Sequence, residues 1–190
     1  MLMLSVDSKS RYNPFVVRAL CEAGGHDYIM KTCAQTGRTA LHFAVAQGRE
    51  EAAQPELMLR EFGGEELGLK QDHIGRTCLH LASEAELPES SCLIRTLVER
   101  GAGRELLMAT CNGNCVGAAT QLKGADSKLT CMHCAAQDRK LHSLVTLCEL
   151  GGKELWLKGN FWQTPLFTAC HSGTWRLSRS CWTGVAVSCG

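Results

Sequence analysis

Two short patterns alternate along the chain, and this alternation restricts its fold more than any other feature. The first is "TALHFA" from Thr39, "TCLHLA" from Thr77, "TCMHCA" from Thr130 and "TPLFTA" from Thr164. Each reads Thr, a small residue or Pro, an apolar residue, His or Phe, any residue, Ala. The second is "LCEAGGHDY" from Leu20, "LREFGGEEL" from Leu59, "LVERGAGREL" from Leu97 and "LCELGGKEL" from Leu147. Gly63, Gly101 and Gly151 follow Thr39, Thr77 and Thr130 at 24, 24 and 21 residues. The first two units therefore carry three extra residues between their helices. Periodicity of this kind marks stacked units, each covering its neighbour's apolar side.

The local chemistry predicts helix pairs. The threonine hydroxyl can cap a helix by accepting from an exposed backbone N–H. Pro165 takes the first helical position, where its missing N–H costs nothing. Leu79 with Ala82, and Met132 with Ala135 and Ala136, fall at i, i+3, i+4 and bury one side of a short helix. In the following helix Leu141, Leu144, Val145 and Cys148 read as one apolar stripe, and Gly151 is expected to end it in a left-handed conformation. The chain opens on a half unit: Asn13 caps, Pro14 fills the first turn, and "FVVRALCEAGG" supplies a second helix alone. The expected class is all-α, helix-turn-helix pairs joined by hairpin loops, with an irregular C-terminal tail.

These hexads resemble the ankyrin repeat, whose signature is T-P-L-H-x-A in a unit of about 33 residues. The resemblance covers roughly residues 13–173. It implies a solenoid with a half unit over 13–36 and units from about 37, 75, 110 and 160. Residues 1–12 form a separate N-terminal segment, a candidate for disorder, and 174–190 an atypical tail. It implies structural roles for Thr39, His42, Thr77, His80, Thr130, His133 and Thr164, the histidine rings tying adjacent backbones by hydrogen bonds. It further implies a non-catalytic scaffold whose first helices and hairpin tips bind another protein, with no cofactor and no small-molecule substrate. The matching first-helix positions are Phe43, Gln47, Leu81, Glu84, Cys134, Gln137, Thr168 and His171. The tip positions are Arg38, His73, Ile74, Arg76, Phe161 and Trp162. Phe43, Leu81, Phe161 and Trp162 are the expected anchors, because aromatic and aliphatic groups supply binding energy once a partner covers them.

The units also depart from the pattern. From Leu67 to Thr77 is ten residues and from Leu155 to Thr164 nine, but from Leu106 to Thr130 is 24. The third hairpin thus holds an insertion within "CNGNCVGAATQLKGADSKL", residues 111–129, whose composition suits an exposed loop. Gly37 and Gly75 stand two residues before their threonines, where positive φ is needed, but Lys128 and Trp162 replace them. Pro55 and Pro88 are expected to start second helices, and Ser90 or Ser91 to cap "CLIRTLVERG". The tail "TWRLSRSCWTGVAVSCG" lacks a helical stripe. Restoring one C before permitted codons for 174–189 gives, in the shifted frame, "HLEAVKELLDRGGREL". That is an amphipathic helix with Gly-Gly at the spacing separating Thr130 from Gly151. The expectation is a one-base shift near Gly173 that truncated a longer array, leaving a remnant with uncovered apolar surface.

Composition narrows the remaining classes. Lys plus Arg is 20 against 19 for Asp plus Glu, a net charge of +1 with no basic run, which argues against nucleic acid and anionic lipid. No stretch approaches a membrane span, and "MLMLSVDSKS" lacks the basic start of a signal peptide. The twelve cysteines are expected to be reduced thiols in a cytoplasmic or nuclear protein. Cys131 and Cys134, at C-x-x-C spacing with Cys111 and Cys115 upstream, form the alternative zinc set. Cys131 nonetheless fills the slot of Ala40 and Cys78, and Cys134 that of Phe43 and Leu81, so both have structural explanations. A Cys–His nucleophile pair would draw on Cys134 or Cys170 with His133 or His171. No nucleophile elbow, P-loop or dinucleotide fingerprint accompanies it.

Overall fold

The computed structural model describes residues 14–46, 58–85, 90–112, 128–159 and 164–173. These are mostly helical. In chain order they form α1 (Pro14–Ile29), α2 (Ala40–Ala46), a wider π-helical turn π1 (Met58–Gly63) that runs into α3 (Gly64–Leu69), and α4 (Cys78–Glu84). Next come α5 (Ser90–Arg100), α6 (Gly103–Met108), strands β1 (Thr110–Asn112) and β2 (Lys128–Thr130), α7 (Cys131–Gln137), α8 (Leu141–Leu157) and α9 (Pro165–His171). Contacts sort the helices into two rows. The short helices that follow a threonine pack α2 on α4, α4 on α7 and α7 on α9. The helices that precede the glycine pairs form the second row, packing α1 on π1, π1 on α5 and α5 on α8.

The core lies between the rows. Leu41, Leu79 and Met132, at one position of α2, α4 and α7, are fully buried, as are Met58, Ile94, Leu97 and Leu147 from the second row. Each such side chain contributes roughly 1.5–3 kcal/mol. Ala82, Ala135 and Ala136 are buried too. Their small side chains permit close approach of α4 and α7. Ion pairs cross the second row between Arg18 and Glu61, Arg95 and Glu149, and Arg104 and Glu154, all at exposed positions. Pairs of this kind add little to stability, so apolar contact carries the stacking.

The glycine pairs work differently from the expectation for Gly151. Positive φ belongs to the later glycine: Gly152 has φ 54° and ψ −157°, and Gly25 has φ 63° and ψ −167°. This lies at the edge of a region essentially confined to glycine, not the left-handed helical one. It kinks α8, so the chain bends and resumes helix rather than ending there. Gly151 is needed for another reason. A Cβ there would stand 2.5 Å from Leu155 Cδ2, and one at Gly24 or Gly63 would meet Tyr28 or Leu67 at 2.5 or 2.4 Å. The first glycine therefore leaves room for the side chain four residues on, and the second turns the backbone.

Three further expectations are corrected. Ser90 and Ser91 lie inside α5; Ser90 Oγ is 3.3 Å from Ser143 Oγ, and Ser91 Oγ donates to His142 O at 3.5 Å. Their hydroxyls thus link α5 to α8 instead of capping. The stripe of α8 is split: Leu144 and Cys148 are buried with Leu147, whereas Leu141 and Val145 are each 39% exposed. Lys128 is a strand residue opposite Asn112, so β2 continues through the position that Gly37 and Gly75 hold at the first two tips. The ladder Thr110↔Thr130, Cys111↔Leu129, Asn112↔Lys128 closes the base of the inserted loop. Asn13, Pro55, Pro88, the interior of that loop and the tail after Gly173 lie outside the described residues.

Gly152→Ala is expected to destabilise the fold by about 1–3 kcal/mol, with Gly152→Asn no better. No atom stands within 4 Å of the added Cβ, so the loss is one of backbone conformation. Denaturant midpoints of the two variants against the parent check this.

Candidate interaction face

The threonine-led hexads set the geometry of one face. Thr77 and Thr130 sit in extended backbone just before α4 and α7. Each hydroxyl accepts from the backbone N–H three residues on, and the histidine there reaches back. Thr77 N donates to His80 Nδ1 at 3.2 Å, Thr130 N to His133 Nδ1 at 3.1 Å, and Thr39 N to His42 Nδ1 at 3.2 Å. Because Nδ1 accepts a backbone proton, the ring proton must sit on Nε2. That proton is then directed to the next unit. His42 Nε2 donates to Arg76 O at 3.1 Å, and His80 Nε2 to Leu129 O at 3.2 Å. Both acceptors immediately precede the next capping threonine. Thr164 also caps, accepting from Phe167 N at 3.3 Å, but Phe167 has no ring nitrogen to extend the series and is 53% exposed.

These bonds need neutral rings. Burial pushes His80 down to about 4, with the Leu129 carbonyl opposing, and it lowers His42 in the same way against the Arg76 carbonyl. A proton added at Nδ1 would take the acceptor away from the Thr77 N–H and turn the 2.9 Å contact with Thr77 Oγ1 into one in which the ring donates.

The hairpin tips join through backbone. Gly37 and Gly75 have φ 71° and 81°, as their place before the threonine requires. His73 N donates to Thr36 O at 3.0 Å, and Asn112 N to Ile74 O at 3.0 Å. A Cβ on Gly37 would stand 2.8 Å from His73 N, so that glycine also admits the neighbouring tip. Asp72 organises the second tip. Its Oδ1 accepts from Ile74 N at 3.1 Å and Arg76 N at 2.9 Å, and its Oδ2 from Arg76 Nε at 3.1 Å. Burial alone would raise this carboxyl, but the bonds and charge of Arg76 hold it below the usual range. Arg38 Nε stands 3.6 Å from Asp72 Oδ2, and Arg76 Nη1 stands 3.6 Å from Glu84 Oε2 on α4. Arg38, Asp72, Arg76 and Glu84 thus form one charge cluster where the tips meet the first row of helices. Sequence reasoning missed Asp72. Its signal was an acid able to accept from backbone N–H groups two and four residues on, ahead of Gly75.

The expected contact residues do not share one environment. Leu81 is only 6% exposed and Cys134 and Thr168 are buried, so none of the three presents an anchor; Leu81 belongs to the main core, and Cys134 packs with Cys111 and Leu129 of the two strands. Phe43 is half-buried against the core, and Ile74 against a small cluster of Cys111, Leu129 and Cys134. Arg38, Arg76, Glu84 and Gln137 are partly accessible, and His73 and His171 are exposed. Gln47, Phe161 and Trp162 lie outside the described residues.

The cysteines also differ from expectation in one respect. Cys111 is disulfide-bonded, whereas eight described cysteines are free. Cys131 Sγ faces Leu107 O at 3.9 Å, and Cys78 Sγ faces Gly68 O at 3.5 Å. Burial pushes both thiols up to about 12 and Cys21 up to about 11, and it raises Cys134 as well. Cys111, oxidised, and Cys131, turned to a carbonyl, do not converge with Cys134 as thiolates; Cys115 lies outside the described residues. Among the described residues no three His, Cys, Asp or Glu side chains are grouped to hold a metal ion. His133 Nδ1 is engaged by Thr130, and the His171 ring stacks on Phe167 at 6.5 Å between centroids. Among the described residues no helix is long and apolar enough to cross a membrane. No protein-family model and no curated protein matches the chain.

The depressed His80 gives a signed pH dependence. Its unfolded form binds a proton below about 6.5, but its folded form does so only below about 4. The unfolded state therefore gains protons first as pH falls, and stability drops between about pH 6.5 and 4, by on the order of 3 kcal/mol from this residue. Unfolding of His80→Gln across that window, which should lose this slope, checks it. Separately, a thiol reagent should modify exposed Cys92 and Cys170 well before Cys78, Cys131 and Cys134, read by mass spectrometry of the native protein.

Proposed function

We propose that this chain is an ankyrin-type array of helix pairs, and that it acts as a non-catalytic scaffold binding a protein partner across the hairpin tips and first helices. The observation that carries this reading is the recurrent bond from a histidine ring to the backbone just ahead of the next threonine. It fixes successive tips and short helices side by side, so their partly accessible side chains lie on one preformed surface. Such a surface loses little conformational entropy on binding. Arg38, His73, Arg76, Glu84 and Gln137 are its described members, with Phe43 at its margin. Gln47, Phe161 and Trp162 are its further candidates. The eight free described cysteines suit the cytoplasm or nucleus, and the disulfide of Cys111 counts against that assignment.

A second reading draws on the side of α8 where Leu141 and Val145 are exposed. Counted back from the glycines, Leu141 and Val145 stand where Ser91 and Arg95 stand on α5, and those two residues contact α8. Leu141 and Val145 therefore occupy the side on which a further second-row helix would pack, and they are apolar and exposed. On this reading the chain is a remnant of a longer array that associates through that side.

The binding reading is tested by affinity capture with a double variant of His73→Glu and Trp162→Ala. A specific partner should be retained by the parent and lose roughly tenfold or more in affinity for the variant, with unfolding unchanged. A partner held equally by both places binding elsewhere. The association reading predicts that Leu141→Glu with Val145→Glu shifts a self-associating population to monomer in light scattering; an unchanged distribution removes it.

A further inference from the structure

Two buried side-chain atoms on this face have no hydrogen-bond partner, Arg38 Nε and Glu84 Oε1. Glu84 ends α4, half-buried, with Oε2 at 3.6 Å from Arg76 Nη1. Its Oε1 is shut from solvent and has no hydrogen-bond donor. A buried carboxylate oxygen without a donor costs far more than a surface one. The groups acting on Glu84 come from several directions. Arg76 and Asp72 lie on the adjoining tip, Arg38 on the preceding tip, and Asp138 and Cys134 on or just after α7. Asp72 already holds Arg76, whose Nε donates to it at 3.1 Å, and attracts Arg38 only across 3.6 Å, which leaves Arg38 Nε without an acceptor. Glu84 is thus the second acid competing for Arg76, and the one with the weaker contact.

We propose that Glu84 is a proton-operated charge switch on the interaction face, deciding whether Arg76 is shared between the hairpin tip and α4 or left to the tip alone. With Glu84 neutral, Arg38 and Arg76 balance Asp72 and Asp138. With Glu84 ionised, the same five groups carry one net negative charge, and Arg76 is held between Asp72 and Glu84. The face then differs by a full charge between its two states, in a region where screening by solvent is reduced. This rests on the binding reading for its purpose, but the switch itself belongs to the free chain and can be measured without a partner.

The titration falls near neutrality. Burial is the leading influence on Glu84 and raises it to about 7, with Arg76 the leading influence in the other direction. Its unfolded counterpart titrates near 4.5. The folded chain therefore holds this proton more tightly between those values, and stability attributable to Glu84 falls as pH rises through the window.

The experiment is a carbon-13 titration of side-chain carboxyls in glutamate-labelled free protein, with Glu84 assigned by the resonance lost in Glu84→Gln. A midpoint near 7 is expected, and Arg76→Gln should move it higher. Thermal melts give a second readout. The Tm of Glu84→Gln minus that of the parent should grow by about 5 °C from pH 5 to pH 8. A midpoint below about 5, or a Tm difference flat with pH, overturns the proposal. Should Glu84→Gln not fold, the resonance displaced selectively by Arg76→Gln identifies the group. If no glutamate titrates near 7, the proposal fails. A normal titration would leave the binding reading intact, whereas loss of partner capture alone would leave the switch intact.

Discussion

The interaction on which the rest depends is the bond from a capping histidine to the backbone of the next helix pair. It does two tasks with one ring. Nδ1 closes the start of its own helix by accepting the threonine N–H, and this fixes the proton on Nε2. Nε2 then meets a carbonyl that has no helical partner, in the extended residue before the next cap. A helix of seven residues such as α4 could not hold itself in water. Its stability must come from caps and packing, and the histidine couples the two. A hydrophobic row alone would allow sliding; the ring nitrogens select one register.

This coupling explains why insertions fall where they do. The distance from cap to cap through space is fixed by the His80–Leu129 bond, whereas the path between them along the chain is free to vary. His42 reaches 34 residues ahead and His80 reaches 49. The additional residues leave the ladder at Asn112 and re-enter at Lys128, so the short strands absorb them without displacing α7. Loop length is inexpensive once its ends are pinned, since closure entropy grows only slowly with length.

Much of this was legible in the sequence, and the failures have physical causes. Thr77, Thr130 and Thr164 announce caps because their chemistry is local, and Gly37 and Gly75 announce turns for the same reason. The role of the paired glycines was misassigned. The sequence marks both residues but not which one carries the bend; that depends on Leu155, Leu67 and Tyr28 filling the space beside the first. Leu81 reads as an anchor because it is an aliphatic group at a first-helix position. That position is buried in Leu81 and Cys134, and half-buried in Phe43, so an apolar residue there serves the core of this chain. Asp72 and the disulfide of Cys111 left no periodic trace, since each occurs in one unit only. The charge cluster of Arg38, Asp72, Arg76 and Glu84 is assembled from three segments, and no spacing rule on one helix could have gathered it.

The same architecture places two titrating groups of opposite sense on one short helix. His80 must stay neutral to accept from Thr77, so it weakens the fold as pH falls from about 6.5. Glu84, one turn later, is shut in with an unpaired oxygen, so it weakens the fold as pH rises toward about 7. Their windows overlap. The total stability of the parent chain then changes less with pH than either residue would dictate, because protons taken up by one unfolded side chain are offset by protons released from the other. A flat profile in the parent is therefore compatible with two strong internal dependences, and only removing one group exposes its counterpart. The consequence is spatial as well as thermodynamic. His80 bonds to Leu129 toward the following unit, whereas Glu84 acts through Arg76 on the preceding tip. A change of pH thus acts on the two junctions of α4 in opposite directions, through Leu129 on one side and Arg76 on the other.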